Sequence, residues 1–172
     1  MIEPWKKLSE KEEKVGYRTI VQRMYQMPNE SEALYSLAAG GSVVCVLAVT
    51  KDNTVILAKQ FRPGPETVYD ELPGGVVEHG EDECGACARE LLEETGYSGN
   101  IEPVAVIPKC GYSCGFRHCF VATECEKVAE PNFDELEFIE VVEKSVEDFV
   151  DQARKGQMTD VDVAWLGLDY LG

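Results

Sequence analysis

A glycine-rich loop that runs directly into a helix is the feature that most constrains how this chain of 172 residues can fold. The loop spans Leu72–Gly80, and the helix is predicted over Glu81–Thr95 because Gly96 is a typical C-terminal cap. Apolar or small side chains recur along this helix at spacings of three and four residues, which predicts one face buried against a sheet. That predicted stripe consists of Cys84, Cys87, Ala88, Leu91 and Thr95.

Three carboxylates gather on one flank of the same helix, with no lysine between them. At about 100° per residue, Glu90 and Glu94 lie roughly 40° apart, and Glu93 lies further round on the same side. In an open helix such like charges repel by roughly a few tenths of a kcal/mol per pair. Divalent cations would offset that repulsion, since Mg²⁺ and Mn²⁺ prefer oxygen ligands. On the helix alone, a solvated acidic face explains the cluster equally well.

The loop and helix together form one continuous pattern. From Gly75 to Tyr97 the chain reads G-x5-E-x7-R-E-U-x-E-E-x-G-U, where U is a bulky apolar residue. A chance match at the seven fixed identities is on the order of 10⁻⁸ per window at average composition. The pattern resembles the box motif of the Nudix hydrolases, and only Tyr97 departs, standing where an aliphatic residue is more usual. The fixed positions are Gly75, Glu81, Arg89, Glu90, Glu93, Glu94 and Gly96.

The Nudix resemblance implies a metal site on this helix. It implies that Glu90, Glu93 and Glu94 bind Mg²⁺ or Mn²⁺, with the carbonyl of Gly74 as a further ligand. Arg89 would orient the carboxylates, which makes Arg89, Glu93 and Glu94 catalytic candidates. The implied reaction is attack of water on one phosphorus of a diphosphate. The cations would neutralise phosphate charge and lower the pKa of the attacking water.

Segments upstream of the box narrow the implied substrate class. Lys59–Arg62 and Glu71–Gly75 are similar to the pattern that precedes the box in ADP-ribose and nucleoside diphosphate sugar pyrophosphatases. This similarity implies that Arg62 and Glu71 bind substrate, the forked donors of Arg62 being suited to phosphate. As an alternative, Arg62 is an ordinary surface residue at a strand end. In that subfamily an N-terminal β region helps to build a homodimer and the nucleotide site, which implies the same for residues 1–39.

A later loop departs from that subfamily. ADP-ribose pyrophosphatases usually carry a proline a few residues beyond the position of Pro108, where this chain reads Gly111-Tyr112-Ser113. The loop also lacks an acidic residue that could serve as a base. Since the subfamily often takes its catalytic glutamate from a still later loop, Glu137 is the favoured candidate, followed by Glu135. Judged without the family, either would be an ordinary surface acid.

The remaining patterns predict mixed strands with helices on either side. Two β-branched runs, Ser42–Val49 and Thr54–Phe61, predict a hairpin because turn residues lie between them. The expected class is α/β, a Nudix-type α/β/α sandwich with a mixed sheet and an N-terminal β extension. Residues 1–39 would form the extension and residues 40–172 the hydrolase domain. Further strands are expected around 15–25, 33–37, 104–107, 116–122 and 137–142, and further helices from Ser145 to before Gly156 and over about 160–171.

Charge and cysteine content restrict the expected partners and location. A formal net charge of −16 repels polyanions, so neither nucleic acid nor an anionic membrane surface is an expected partner. A small nucleotide, bridged to the protein by cations, is the expected substrate. The chain has no uncharged apolar run of 18 residues, and Met1–Lys7 carries no apolar signal-like stretch. With seven cysteines, an odd number, the chain is expected in the reducing cytoplasm.

Cysteine and aromatic groups offer other candidate sites. Cys84-x-x-Cys87 invites a zinc or redox interpretation, but both residues fall on the predicted apolar stripe, which favours core packing. A second group is irregularly spaced, so ordinary loop and strand residues are favoured over a zinc site. Tyr112 or Phe116 would stack on a base or join the core. The second group consists of Cys110, Cys114, His118 and Cys119.

Two other functions stay open beside hydrolysis of ADP-ribose or a related nucleoside diphosphate sugar. One keeps the fold and takes nucleoside triphosphates or dinucleotides as substrates. The other is a non-catalytic nucleotide-binding Nudix domain. The intact set of Glu90, Glu93 and Glu94 argues against the second, since a binding module gains nothing from mutually repelling acids.

Overall fold

Nine strands and three helices make up the computed structural model, which describes residues 2–172. In chain order the strands are β1 (Lys6–Val15), β2 (Arg18–Gln26), β3 (Glu32–Ala38), β4 (Ser42–Thr50), β5 (Thr54–Arg62), β6 (Thr67–Glu71), β7 (Tyr97–Pro108), β8 (Phe116–Lys127) and β9 (Glu140–Ser145). The helices are α1 (Glu83–Thr95), α2 (Val146–Arg154) and α3 (Val161–Leu171).

The chain divides into two compact units. The larger comprises residues 42–107 and 117–172, and the smaller comprises residues up to 41 together with 108–116. A six-stranded sheet lies in the order β6-β5-β4-β8-β7, with β9 paired to β5 beside that path. The predicted α/β class is thereby confirmed. Within residues 2–172, no helix is both long and apolar enough to cross a bilayer.

Alternating side chains of β4 divide the larger unit into two cores. Cys45 and Leu47 pack with α2 and α3 on one face of the sheet, because a strand turns successive side chains to opposite faces. Val44, Val46 and Ala48 pack with α1 on the other face. Each fully buried Val or Leu side chain contributes about 1.5–3 kcal/mol. This two-faced burial explains why the β4 sequence is continuously apolar, and it fixes α1 against the sheet.

The predicted hairpin is confirmed as β4 and β5. Ala48 pairs with Ile56 in antiparallel register. In the turn, the Asn53 N–H donates to the Thr50 carbonyl at 3.1 Å, and Asn53 adopts φ 58°. Asparagine tolerates this left-handed conformation, which suits it to the turn. The far end of β5 carries Arg62, so the hairpin places this arginine at the start of the loop that leads into β6.

All three predicted helices form, with small changes at their ends. Helix α1 begins at Glu83 rather than Glu81 because Asp82 caps it, accepting a hydrogen bond from the Gly85 N–H at 2.7 Å. It ends as expected at Gly96, which has φ 75°. Helix α2 starts where predicted, because Ser145 caps it: the Ser145 hydroxyl accepts from the Asp148 N–H at 3.1 Å.

The predicted apolar stripe of α1 is partly wrong. Cys84 and Ala88 are exposed, whereas Ala86 and Glu94 are buried. The buried face is therefore rotated towards Glu94, so Glu94 is not on a flank of the helix. The physical reason is that the Gly74 N–H donates to the Glu94 carboxylate, which lets this polar side chain face the sheet. Cys84 is therefore not the core residue that the stripe had predicted, whereas Cys87 is fully buried.

The N-terminal region forms a three-stranded antiparallel sheet in the order β1-β2-β3. The sequence predicted only two strands there, because β1 has no apolar alternation and all ten of its residues are exposed. Pairing with β2 stabilises β1 instead. Strand β6 was also missed, since it is a short polar edge strand held by β5. Strands β7 and β8 are longer than predicted, and β9 begins at Glu140 rather than at Glu137.

Candidate active site

The glycine-rich loop before α1 is bound closely along β4. The Val44 N–H donates to the Gly75 carbonyl and the Val46 N–H to the Pro73 carbonyl, each at 2.9 Å. A side chain at position 74 would collide with the Val44 carbonyl, so only glycine permits this approach. The backbone at Gly74, whose carbonyl is the predicted cation ligand, is therefore fixed by the sheet.

Arg89 lies at the centre of the box cluster, a name used here for Glu81, Arg89, Glu90, Glu93 and Glu94. Its Nε and Nη2 atoms donate to the two Glu81 oxygens, each at 3.0 Å. Its Nη1 atom donates to Glu90 at 2.9 Å and to Glu93 at 3.0 Å. These hydrogen bonds, those to Glu81 foremost, raise the pKa of Arg89 and lower the pKa of Glu81. Arg89 is thus a fixed positive charge that contacts three carboxylates.

Glu94 is the buried member of the box cluster. Only 4% of the residue is exposed, and its carboxylate accepts a hydrogen bond from the Gly74 N–H at 2.9 Å. Burial, followed by the negative charges of Glu90 and Glu137, raises the pKa of Glu94 to about 8. Burial likewise raises the pKa of Glu90. The site therefore holds more carboxylate than its single arginine can neutralise, and its ionised form requires further positive charge.

The donor chemistry of the box cluster fits a hard divalent cation. The atoms that it could offer to an ion are carboxylate oxygens, the ligands that Mg²⁺ and Mn²⁺ prefer. Position 75 adds a second observation, because a side chain there would overlap the Glu90 carboxylate, which instead lies against bare backbone. In the arrangement seen over residues 2–172, no three Asp, Glu, His or Cys side chains converge on one point that could hold an ion. Glu90 and Glu93 are turned towards Arg89 instead.

The loop that carries Glu137 is tethered to the end of α1. Its Val128 and Ala129 N–H groups both donate to the Gly96 carbonyl, at 2.9 and 3.1 Å. The Asn132 N–H donates to the Glu93 carbonyl at 2.8 Å. A side chain at Gly96 would also collide with the Ala129 carbonyl. The box glycine thus both ends the helix and allows this loop to lie against it.

The two candidate bases on that loop differ in their surroundings. Glu137 is exposed, and its carboxylate accepts a hydrogen bond from the Asp134 N–H at 3.0 Å. Its negative charge raises the pKa of both Glu90 and Glu94, so it lies within electrostatic range of the box cluster. Glu135 is also exposed, but its charge is not among the main causes of either shift.

Arg62 and Glu71 form a second charged group on the larger unit, beside Gly74. Glu71 is fully buried, and its carboxylate accepts from Arg62 Nε, the Thr159 hydroxyl and the Thr159 N–H, the last at 3.2 Å. The Arg62 side chain is 39% exposed, and its positive charge counteracts the rise in the pKa of Glu94. We call Arg62, Glu71, Leu72, Thr159 and Asp160 the β6 network.

The remaining cysteine, histidine and aromatic candidates lie apart from this chemistry. All seven cysteines are free, and Cys119 is buried in the core at 1% exposure. His118 Nε2 lies 3.1 Å from the Ser42 hydroxyl. Tyr112 and Phe116 are 65% and 52% exposed, so neither is a core residue. The Tyr112 ring stacks on Tyr35, with centroids 6.5 Å apart.

Two features of the site were missed by the sequence patterns. Asp160 looks like the cap of α3 but makes no cap hydrogen bond, and its carboxylate accepts from the distant Leu72 N–H at 2.9 Å. No local signal marks a contact across 88 residues. Tyr97, the one departure from the box pattern, donates its hydroxyl to Glu143 of β9 at 2.5 Å. The sequence showed the unusual tyrosine at position 97, but it did not indicate that Glu143 would be its hydrogen-bond partner.

Comparison with known proteins agrees with this geometry. The NUDIX domain model matches residues 40–162. An ADP-ribose pyrophosphatase of Bacillus subtilis (strain 168) is 32% identical over 149 residues, covering 85% of this chain and 80% of the relative. An ADP-ribose pyrophosphatase of Saccharomyces cerevisiae is 36% identical over 162 residues, covering 82% and 68%.

A solved structure described as an ADP compounds hydrolase shares the fold. It superposes with a TM-score of 0.78 and 18% sequence identity, over 96% of each chain. The fold, the complete box pattern and the domain match all agree. The chain belongs to the Nudix family.

Proposed function

We propose that this protein is a Nudix pyrophosphatase that hydrolyses the diphosphate linkage of ADP-ribose or a related nucleoside diphosphate sugar to two monophosphates. The observation that carries the proposal is the box cluster, in which one arginine orients carboxylates beside the buried Glu94. Two relatives named ADP-ribose pyrophosphatases, matched over 80% and 68% of their own length, support the substrate class.

Mg²⁺ or Mn²⁺ is the cofactor we propose for the box cluster. Glu90, Glu93 and Glu94 would hold it, together with the Gly74 carbonyl, whose backbone β4 fixes. When bound, the cation would neutralise phosphate charge and make water a better nucleophile. Arg89 stays charged near neutral pH, so its hydrogen bonds would align Glu90 and Glu93 for the cation.

Glu137 is the general base we propose, in preference to Glu135. A base must lie within reach of the water it deprotonates, so its loop has to approach the box cluster. Three backbone hydrogen bonds hold that loop to the end of α1, and the charge of Glu137 acts on Glu90 and Glu94. Its exposure leaves the carboxylate free to approach a bound substrate.

Arg62 and Glu71 would contribute to phosphate binding in different ways. Glu71 is fully buried, which favours a role in holding Arg62 over direct contact with substrate. Arg62 uses Nε for that contact, which leaves its other two nitrogens for a phosphate. The carboxylate thus fixes the orientation of the guanidinium, so less side-chain entropy is lost when substrate binds.

The smaller unit carries an aromatic pocket of its own. It has a volume of about 350 Å³ and is lined by Trp5, Arg23, Tyr25, Tyr35 and Tyr112 among others. Aromatic faces stack on heterocycles, and an arginine adds a planar cation.

We further propose that residues 1–39 form a dimerisation element of the protein, apart from the hydrolase domain at 40–172. The edge strand β1 has ten exposed residues and one unpaired side, and edges of this kind pair readily with another chain. The exposed apolar residues Leu8 and Leu34 support a homodimer contact on this sheet.

A cytoplasmic location is proposed from the seven free cysteines, since thiols stay reduced there.

A substrate panel tests the proposed function. ADP-ribose, a second nucleoside diphosphate sugar, a dinucleotide and a nucleoside triphosphate would each be assayed with Mg²⁺ and with Mn²⁺. We expect kcat/KM to be highest for ADP-ribose or the other sugar, with two monophosphate products. Release of pyrophosphate from the triphosphate as the dominant activity would favour the alternative substrate class. No turnover of any substrate would favour a binding module.

A further inference from the structure

The end of β6 is held by the C-terminal part of the chain rather than by a second strand. Strand β6 is the edge strand of its sheet, so one side of it has no strand neighbour. Three consecutive residues there receive partners from beyond residue 150. The Asp70 carbonyl accepts from Gln152 Nε2 at 2.6 Å, the Glu71 carboxylate accepts from Thr159, and the Leu72 N–H donates to Asp160 at 2.9 Å.

Asp160 is the most demanding of these partners. Only 5% of the residue is exposed, and its Oδ2 atom accepts from the Leu72 N–H and from the Cys45 thiol at 2.9 and 3.3 Å. Its other oxygen, Oδ1, is buried without a hydrogen-bond partner among residues 2–172. Burial and the neighbouring charge of Glu71 raise the pKa of Asp160 to about 6.

A buried carboxylate such as that of Asp160 lowers the stability of the fold if it serves only to fill space. A buried carboxylate with one unsatisfied oxygen costs several kcal/mol, and an apolar side chain would fill the same space more favourably. The hydrogen bonds from the Leu72 N–H and the Cys45 thiol offset part of that cost, and the Leu72 bond is the one that holds the glycine-rich loop. From Leu72 the chain passes through Pro73, whose carbonyl accepts from the Val46 N–H, and reaches Gly74 two residues on.

We propose that Asp160 is a positioning residue for the cation site: by holding the Leu72 N–H, it fixes the backbone that presents the Gly74 carbonyl. The inference rests on the proposed function, because Gly74 is a ligand only if the box cluster binds a divalent cation. In this proposal Asp160 acts through the Leu72 N–H and is not itself a ligand. Its hydrogen bond to the Leu72 N–H sets the direction in which the loop leaves the edge of the sheet. The following residues of the loop are then held by hydrogen bonds to β4 and to Glu94.

Mn²⁺ binding to two Asp160 variants tests the proposal. Mn²⁺ would be titrated into the substrate-free protein and the free ion followed by electron paramagnetic resonance. In Asp160→Asn the amide oxygen still accepts from the Leu72 N–H, so we expect Kd for Mn²⁺ to stay within threefold of wild type. Asp160→Ala lacks that acceptor, and we expect Kd to rise about tenfold, equivalent to about 1.4 kcal/mol, with a fall in kcat.

Controls separate positioning from general stability. Asp162→Asn changes a neighbouring, more exposed carboxylate and should leave Kd unchanged. Thermal unfolding without metal reports the purely structural cost of each variant. If Asp160→Ala fails to fold, Asp160→Ser replaces it in the test. The serine side chain is too short for its hydroxyl to reach the Leu72 N–H as the carboxylate does.

Three results would overturn the proposal. The first is a folded Asp160→Ala that binds Mn²⁺ with the wild-type Kd even though its Tm is lowered. The second is a loss of Mn²⁺ affinity that is equal in Asp160→Asn and Asp160→Ala. The third is a wild-type protein that binds no Mn²⁺, which would overturn the proposed function as well. If the protein binds Mn²⁺ but hydrolyses nothing in the panel, only the proposed function fails, because the Asp160 contrast is measured without substrate.

Discussion

The box cluster and the β6 network both place carboxylates against the same glycine-rich loop, yet they are neutralised in different ways. In the β6 network, Glu71 is matched by Arg62 and by Thr159, and Asp160 by the Leu72 N–H. In the box cluster Arg89 pairs with Glu81, Glu90 and Glu93, and among residues 2–172 Glu94 accepts a hydrogen bond from the Gly74 N–H alone. The two groups therefore differ in residual charge: the β6 network leaves one Asp160 oxygen without a partner among residues 2–172, whereas the box cluster keeps an excess of carboxylate that the proposed cation would neutralise.

The largest expected effect comes from removing the buried acid of the box cluster. Glu94→Gln keeps the size of the side chain but removes a negatively charged ligand. We expect kcat with Mg²⁺ to fall roughly 10³-fold, equivalent to about 4 kcal/mol of transition-state stabilisation. The measurement is steady-state hydrolysis of ADP-ribose. Glu147→Gln, an exposed acid on α2, is the matched control and should keep wild-type kcat. Activity in Glu94→Gln near that of the control would remove Glu94 from the metal site.

The next effect distinguishes the two acids on the loop after β8. Glu137→Gln should lower kcat about 10²-fold, since a general base contributes about that much or more. Glu135→Gln should cost far less, because the charge of Glu135 is not among the main causes that raise the pKa of Glu90 or Glu94. Single-turnover kinetics with saturating Mg²⁺ would compare the two. An equal loss in both variants, or a larger loss in Glu135→Gln, would contradict the assignment.

A smaller effect is expected where the β6 network meets the substrate. Arg62→Lys keeps the positive charge near Glu71 but loses the forked geometry that holds a phosphate. We expect KM for ADP-ribose to rise about tenfold, with kcat changed less than threefold. Arg117→Lys, which alters an arginine paired with Asp162, is the matched control. If kcat fell while KM stayed constant, Arg62 would act on the reaction step instead of on binding.

The smallest effect is a pH dependence that only the box cluster should show. The pKa of Glu94 in the folded protein is about 8, above its ordinary value of 4.5. Without metal, the stability associated with protonated Glu94 is present below pH 4.5 and is lost as the pH rises through 8. A cation stabilises the ionised form, so the rise in Tm caused by Mg²⁺ should grow between pH 6.5 and 8.5. Apparent affinity changes by at most about tenfold per pH unit.

Thermal scans with and without Mg²⁺ at several pH values measure this dependence. The pKa of Asp160 is about 6, so its titration affects mainly the lower end of this window, and the upper end reports on Glu94. Glu94→Gln should remove the growth of the Mg²⁺ effect with pH. A Mg²⁺ effect that is constant across this window in the wild type would contradict the buried position of Glu94.

Local patterns were sufficient for α1, the β4–β5 hairpin and the capped α2, because each depends on residues close together in the chain. The box pattern also pointed to Arg89 as the residue that orients the carboxylates. The sequence could not show that Glu94 is buried, since that depends on a backbone N–H 20 residues away. It missed β1 and Asp160 for the same reason, as both depend on tertiary pairing rather than on apolar periodicity.

Direct measurement of metal binding tests the central claim most closely. Mn²⁺ would be titrated into the wild-type protein, Glu94→Gln and Glu147→Gln without substrate, and the free ion followed by electron paramagnetic resonance. We expect saturable binding to the wild type, unchanged binding to Glu147→Gln, and at least a tenfold weaker affinity in Glu94→Gln. Equal Mn²⁺ affinity in all three proteins would contradict a metal site at the box cluster.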